Sequence, residues 1–142
     1  MDQNTDNTLT DPRTNSQVVE KPPLRVLVVD DEWLVRWTVT EALRERGLQV
    51  DQAADLRSAM RALDERYDLV LLDLHLPDSQ DLRLLSLIRA RSAALPVIVM
   101  TAFATREIVE EAASLGATVV HKPFELDGLA NAVERALTCR VY

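Results

Sequence analysis

Four short stretches of this 142-residue chain carry residue types that could do chemistry together. Asp30-Asp31-Glu32 follows the apolar run Leu24–Val29, and Asp73 closes the run that begins at Leu69. Thr101 closes Pro96–Met100, and Lys122-Pro123 follows Thr118–His121. A carboxylate at the end of an apolar run such as Leu69–Leu72 is costly to bury unless cations accompany it. Several acids within a few ångströms repel one another unless a divalent cation sits among them. Ligands that are all oxygen suit Mg²⁺, which keeps several waters and favours a phosphate-bearing companion. A lysine and a hydroxyl beside that ion are what a phosphoryl group needs: the ammonium neutralises one oxygen and the hydroxyl donates to another. The chemistry implied is transfer of a phosphoryl group to a carboxylate at a Mg²⁺ site, giving an acyl phosphate. For Asp30 and Asp31 taken alone, capping of the following helix is the competing reading, because acids favour helix N-termini.

Other chemistries find less support. The three glycines, Gly47, Gly116 and Gly128, form no phosphate-cradling loop after a strand, which argues against a kinase or GTPase. His75 and His121 have no partner nucleophile at a strand end beyond Thr101 and read as ordinary loop and strand-end residues. A net charge of −7 argues against nucleic-acid binding by this chain alone. The single cysteine, Cys139, rules out an internal disulfide framework. No run approaches the roughly 20 apolar residues of a membrane span, and no secretory leader pattern is present, so a cytoplasmic location without membrane contact is expected. Of the 16 basic residues only Lys21 and Lys122 are lysine, so Lys122 stands out as a place where an ammonium is wanted.

The elements that must position these groups alternate regularly. Strands are expected at Leu24–Val29, Leu48–Ala53, Leu69–Leu74, Pro96–Thr101 and Thr118–His121, and the first and third have too little alternation for a surface sheet. Helices are expected over Glu32–Arg46, from an Asp55 cap through Leu63, and over Leu82–Arg91, Thr105–Leu115 and Leu126–Leu137, with Gly47 and Gly116 as stops. Val35, Thr38, Val39, Ala42 and Leu43 form the inward stripe of the first helix, which leaves Trp33 and Trp37 on a flank. They either pack against a neighbouring helix or the tail, or form a docking patch. Five βα units in succession imply an α/β fold, doubly wound, with a parallel sheet and helices on both faces. Ligands in such folds sit beyond the carboxyl ends of the strands, where strand order reverses. Residues 1–23 are polar and proline-bearing and are expected to form a flexible tail; residues 24–138 form the domain, and 139–142 a short C-terminal end.

The segments LRVLVVDDE (24–32), LVLLDLHLPD (69–78), VIVMTA (97–102) and HKPF (121–124) resemble the receiver domain of two-component response regulators, in a chemotaxis-regulator-like form. Four motifs fall in the right order, and the resemblance covers essentially the whole folded part. It implies a flavodoxin-like sheet in the order 2-1-3-4-5 with five helices. It also implies Asp73 as phosphoacceptor, and Mg²⁺ held by Asp30, Asp31, Asp73 and the backbone carbonyl of His75. Thr101 becomes the switch hydroxyl, Lys122 the phosphate-binding lysine, and the Lys122-Pro123 peptide is expected to be cis. The implied partners are a histidine kinase or phosphotransfer protein, which meets the first helix, and a downstream protein target. A phosphorylation-dependent homodimer is compatible with the pattern. The protein is then a switch that catalyses only its own phosphoryl transfer and dephosphorylation.

Departures from the family pattern are specific. The aromatic usually found three residues before the lysine is Val119, which puts the aromatic half of the switch in doubt. The usual glycine after the third strand is Asp81, a residue that tolerates left-handed backbone at modest cost. His75 and Phe103 occupy the positions flanking the path of attacking water, and a bulky imidazole beside a phenyl ring implies a long-lived phosphoryl group. Two alternatives use the same residues: a pseudo-receiver that binds partners without phosphate, and a phosphatase with an aspartyl intermediate. The phosphatase would need an acid two residues after Asp73, where His75 stands. The chain stops about four residues after the last expected helix, so either a free-standing regulator or the excised receiver of a longer one is expected.

Overall fold

The computed structural model describes residues 22–140. The tail expected over residues 1–23 lies outside the described residues apart from Pro22 and Pro23, as do Val141 and Tyr142. The elements are β1 (Arg25–Val29), α1 (Trp33–Glu45), β2 (Gln49–Ala53), α2 (Leu56–Ala62), β3 (Leu69–Asp73), α3 (Arg83–Arg91), β4 (Val97–Thr101), α4 (Arg106–Ser114), β5 (Thr118–His121) and α5 (Leu126–Arg140). The strands form one parallel sheet in the order β2-β1-β3-β4-β5. This is the doubly wound order expected, with the reversal between β1 and β3.

The continuous apolar runs have a simple cause. Side chains of a strand alternate between faces, and here each face has its own core. Leu27, Val29, Val70, Leu72, Val97 and Val99 pack on one side beneath α2, α3 and α4. Val26, Val28, Leu69, Leu71, Ile98 and Met100 pack on the other beneath α1 and α5. The three inner strands are therefore buried throughout, apart from the half-buried Arg25 that opens β1.

The punctuation falls largely where expected. Asp55 caps α2 through Ser58 N–H, and the Ser58 hydroxyl completes a reciprocal box. Gly47 and Gly116 end α1 and α4 at φ of +84° and +74°. Asp81 takes the left-handed conformation, φ +56°, as anticipated for the usual glycine position. Two details differ. Thr40, rather than Thr38, is the fully buried threonine of α1. The last helix continues to Arg140 instead of stopping at Leu137, since nothing from Leu137 to Arg140 is a glycine or proline.

One side chain joins two helix ends at the amino-terminal edge of the sheet. The guanidinium of Arg89, on α3, donates to the carbonyls of Ser92 and Leu95, and across to those of Leu115 and Gly116 after α4. Helix C-termini leave carbonyls without partners, and a planar cation with five N–H groups satisfies several at once. Arg89→Ala should therefore cost about 2–4 kcal/mol of unfolding free energy in urea titration, with Arg89→Lys recovering less than half. A loss below ~0.5 kcal/mol would show that water replaces the guanidinium without penalty.

Candidate functional site

The site forms because strand register delivers its members to one edge. Val29 pairs with Leu72, so Asp30 and Asp73 come next, level with each other on neighbouring strands. Both follow the even alternation of Val26 and Val28 and of Leu69 and Leu71, and so emerge on the α1/α5 side of the sheet. Lys122 continues the alternation of Val120 beyond β5 and reaches back over the same face. Thr101 ends β4, level with His121 of β5, and is fully buried.

Asp30, at 0% exposure, and Asp73, at 4%, are the only buried acids among the described residues. Together with the exposed Asp31 they offer one carboxylate oxygen each within 4.8 Å of one another. Lys122 Nζ lies 2.8 Å from Asp30 Oδ2, 3.3 Å from Glu32 Oε1 and 3.4 Å from Asp73 Oδ2. The contact of Lys122 with Asp73 is the longest of the three. Asp30 Oδ1 accepts the Glu32 N–H at 2.9 Å. Asp30 does not cap the first turn of α1, because the N–H it accepts belongs to Glu32, which precedes the helix, and Glu32 itself makes no side-chain cap. His75 enters through its backbone, its N–H donating to Asp73 Oδ1 at 3.3 Å. The Phe103 N–H donates to Thr101 Oγ1 at 3.0 Å. The Lys122-Pro123 peptide is cis.

Electrostatics mark Asp73 apart. Burial, and then the neighbouring Asp30 charge, push its carboxyl above the ordinary range, and Lys122 and the His75 N–H only partly oppose them. Burial pushes the Lys122 ammonium down, but the hydrogen bond to Asp30 and the charges of Asp30 and Asp73 outweigh it and hold the pKa above its usual value. An ammonium among three carboxylates leaves an excess of negative charge, and oxygen donors in that setting fit a hard divalent cation.

Several participants were not singled out from the sequence. Asp78 accepts from the N–H groups of Leu56 and Arg57 at 2.7 and 3.1 Å, tying the loop after β3 to the start of α2. Gln80 bonds both His75 Nδ1 (3.1 Å) and the Leu76 carbonyl (2.8 Å). The His75 ring stands edge-on to Phe103 with centroids 5.2 Å apart. Asp78 and Gln80 sit in a loop, where spacing carries no periodic signal. Val119 pairs with Val99 and packs against the core beneath α4.

Comparison with known proteins agrees with this geometry. Residues 26–134 match the family model of the response regulator receiver domain. The chain is 35% identical over 118 residues to sporulation initiation phosphotransferase F of Bacillus subtilis, covering 80% of this chain and 93% of that protein. It is 35% identical over 133 residues to the transcriptional regulatory protein PdtaR of Mycobacterium tuberculosis, covering 92% of this chain but 63% of that one. A CheY-like receiver domain protein from Methanospirillum hungatei superposes with a TM-score of 0.80 at 24% identity, covering 84% of this chain and 97% of that one, and so shares the fold. The chain belongs to the response regulator receiver domain family of two-component systems. Such domains are switch proteins rather than classical enzymes. Among the described residues, no helix is long and apolar enough to cross a membrane.

The raised Asp73 pKa has a testable sign. The native state binds this proton more tightly than the unfolded chain, so stability falls as pH rises through the window above the ordinary carboxylate range. Asp73→Asn removes that penalty while Lys122 keeps Asp30 and Glu32. Without metal at pH 7.5 the variant should melt a few degrees above the parent, the shift that roughly 1 kcal/mol produces in a domain of this size. The gap should close as the pH is lowered toward 4. A variant that melts below the parent at pH 7.5 would contradict this assignment of the charge.

Proposed function

We propose that the protein is a phosphorylation-controlled switch in which Asp73 accepts a phosphoryl group from a histidine kinase or a histidine phosphotransfer protein. The observation that carries this reading is the pair of buried, level carboxylates, Asp30 and Asp73, bridged by the only lysine among the described residues. An Asp73 oxygen attacks phosphorus, the P–N bond to the donor imidazole breaks as the O–P bond forms, and the imidazole departs. Asp30, Asp31, Asp73 and the His75 carbonyl are the residues that would hold Mg²⁺, which when bound offsets the charge of the phosphoryl oxygens. Lys122 moves from a carboxylate to a phosphoryl oxygen. Thr101 Oγ accepts from Phe103, which leaves its own proton to donate to another phosphoryl oxygen. The edge-on His75 and Phe103 rings flank the approach of water and slow loss of the phosphate. Val119 is already packed, so the output change runs through Thr101 and α4 without an aromatic swing.

Two measurements test this. Full-length protein incubated with Mg²⁺ and acetyl phosphate should give a shifted band on a phosphate-affinity gel. The band should be absent from Asp73→Asn and after chelation with EDTA. No band from the parent would favour a receiver-like module that binds partners without phosphate.

The donor's docking face follows from exposure. Trp33, Leu34 and Trp37 are 68%, 56% and 52% exposed at the start of α1, directly after the acid pair. The indoles do not pack on a neighbouring helix, and the alternative of packing against the tail lies outside the described residues. Large exposed aromatics anchor interfaces, so a helical phosphodonor is proposed to dock here. Trp37→Ala should slow transfer from a phosphodonor protein that labels the parent by about tenfold. Labelling by acetyl phosphate should stay unchanged, and an equal loss of both would assign Trp37 to folding instead.

A further inference from the structure

The backbone of the acid pair is held in place by a residue outside the site. Arg36 lies on the first turn of α1, its N–H bonded to the Glu32 carbonyl at 2.9 Å. Its Nη1 donates to the backbone carbonyl of Asp30 at 2.7 Å, and its Nε donates to Gln52 Oε1 at 3.0 Å. The Asp30 N–H donates in turn to the Ala53 carbonyl at 3.1 Å. Gln52 and Ala53 are the last two residues of β2. Asp30 is thus fixed through both its N–H and its C=O to the neighbouring strand, just where β1 ends and no further strand pairing would hold it.

We propose that Arg36 is a positioning residue for the cation site: by clamping the Asp30 carbonyl to β2 it sets the turn from which the Asp30 and Asp31 carboxylates project. The proposal rests on the reading of Asp30, Asp31 and Asp73 as a Mg²⁺ site. Mg²⁺ demands near-ideal octahedral geometry, so carboxylates displaced by a fraction of an ångström bind it less well. A guanidinium suits the task because two of its N–H groups diverge toward different acceptors, whereas an ammonium is a single point of donation. Arg36 makes no hydrogen bond to a carboxylate of the cluster, so its part is separate from that of Lys122.

Charge and position predict opposite signs. A cation beside an acidic cluster repels Mg²⁺, so if Arg36 acted through charge alone, removing it would tighten binding. If it acts by position, removing it weakens binding. Isothermal titration of the full chain with MgCl₂ separates the two. Arg36→Met should bind Mg²⁺ at least fivefold more weakly than the parent. Arg36→Lys, which can still donate to the Asp30 carbonyl, should recover part of the loss. Equal or tighter binding by Arg36→Met overturns the proposal, whatever the variant does to the melting temperature. Should Arg36→Met fail to fold, Gln52→Leu decides, because it releases Arg36 Nε at an exposed position without changing any charge. A two- to threefold weakening there supports the proposal, and an unchanged affinity overturns it. A parent that does not bind Mg²⁺ removes the cation site itself and the proposal with it. Binding by the parent with no change in the variants removes only the role of Arg36.

Discussion

Everything at the carboxyl edge depends on one ammonium. Two carboxylates buried side by side, Asp30 and Asp73, would repel each other in a poorly solvated setting, and Lys122 is the cation that lets both stay there. Its compensation is incomplete, because Asp73 still lies above its ordinary range. The resting site is therefore held short of positive charge by design of the register, not by an accident of a loop. A divalent cation relieves that shortage, and so does a proton on Asp73.

Much of this was legible in the sequence, for identifiable reasons. Apolar runs covered on both faces read as inner strands of a parallel sheet, and Asp73, Thr101 and Lys122 could be placed at their ends by counting. The left-handed Asp81 was readable only through the family resemblance, which puts a glycine at that position. The fold then made Asp30 and Asp73 neighbours through pairing that no local pattern states. What stayed hidden is the set of long side chains that cross between elements. Arg36 reaching Asp30 and Gln52, Asp78 reaching the start of α2, and Arg89 reaching the end of α4 depend on rotamers and on three-dimensional proximity. Fourteen arginines look alike as a sequence, and only the fold says which are clamps. The preference of Lys122 for Asp30 over Asp73 is hidden for the same reason, since it turns on tenths of an ångström.

The two ends of the sheet treat the same chemical group in opposite ways, and the contrast shows where function resides. Asp51, the middle residue of β2, accepts from the Tyr67 hydroxyl at 2.7 Å, and Arg25, at the amino end of β1, reaches the same oxygen at 2.7 Å while lying over the Tyr67 ring. The Tyr67 hydrogen bond, with Arg25 in support, overcomes burial and holds Asp51 below the usual carboxylate range. Burial, and then the same contact, push the Tyr67 hydroxyl up to about 12. Asp51 is thus stabilised in its charged form in the resting state. Asp73 has the reverse environment, with a like charge beside it and a single shared ammonium. A fold can tolerate a poorly compensated carboxylate at one edge when Arg89 and the Arg25–Asp51–Tyr67 group hold the other. Poor compensation is also what a switch requires. If Asp73 were as well satisfied as Asp51, a phosphoryl group or a metal ion would displace good interactions to bind, and the two states would differ too little in free energy for either to be selected.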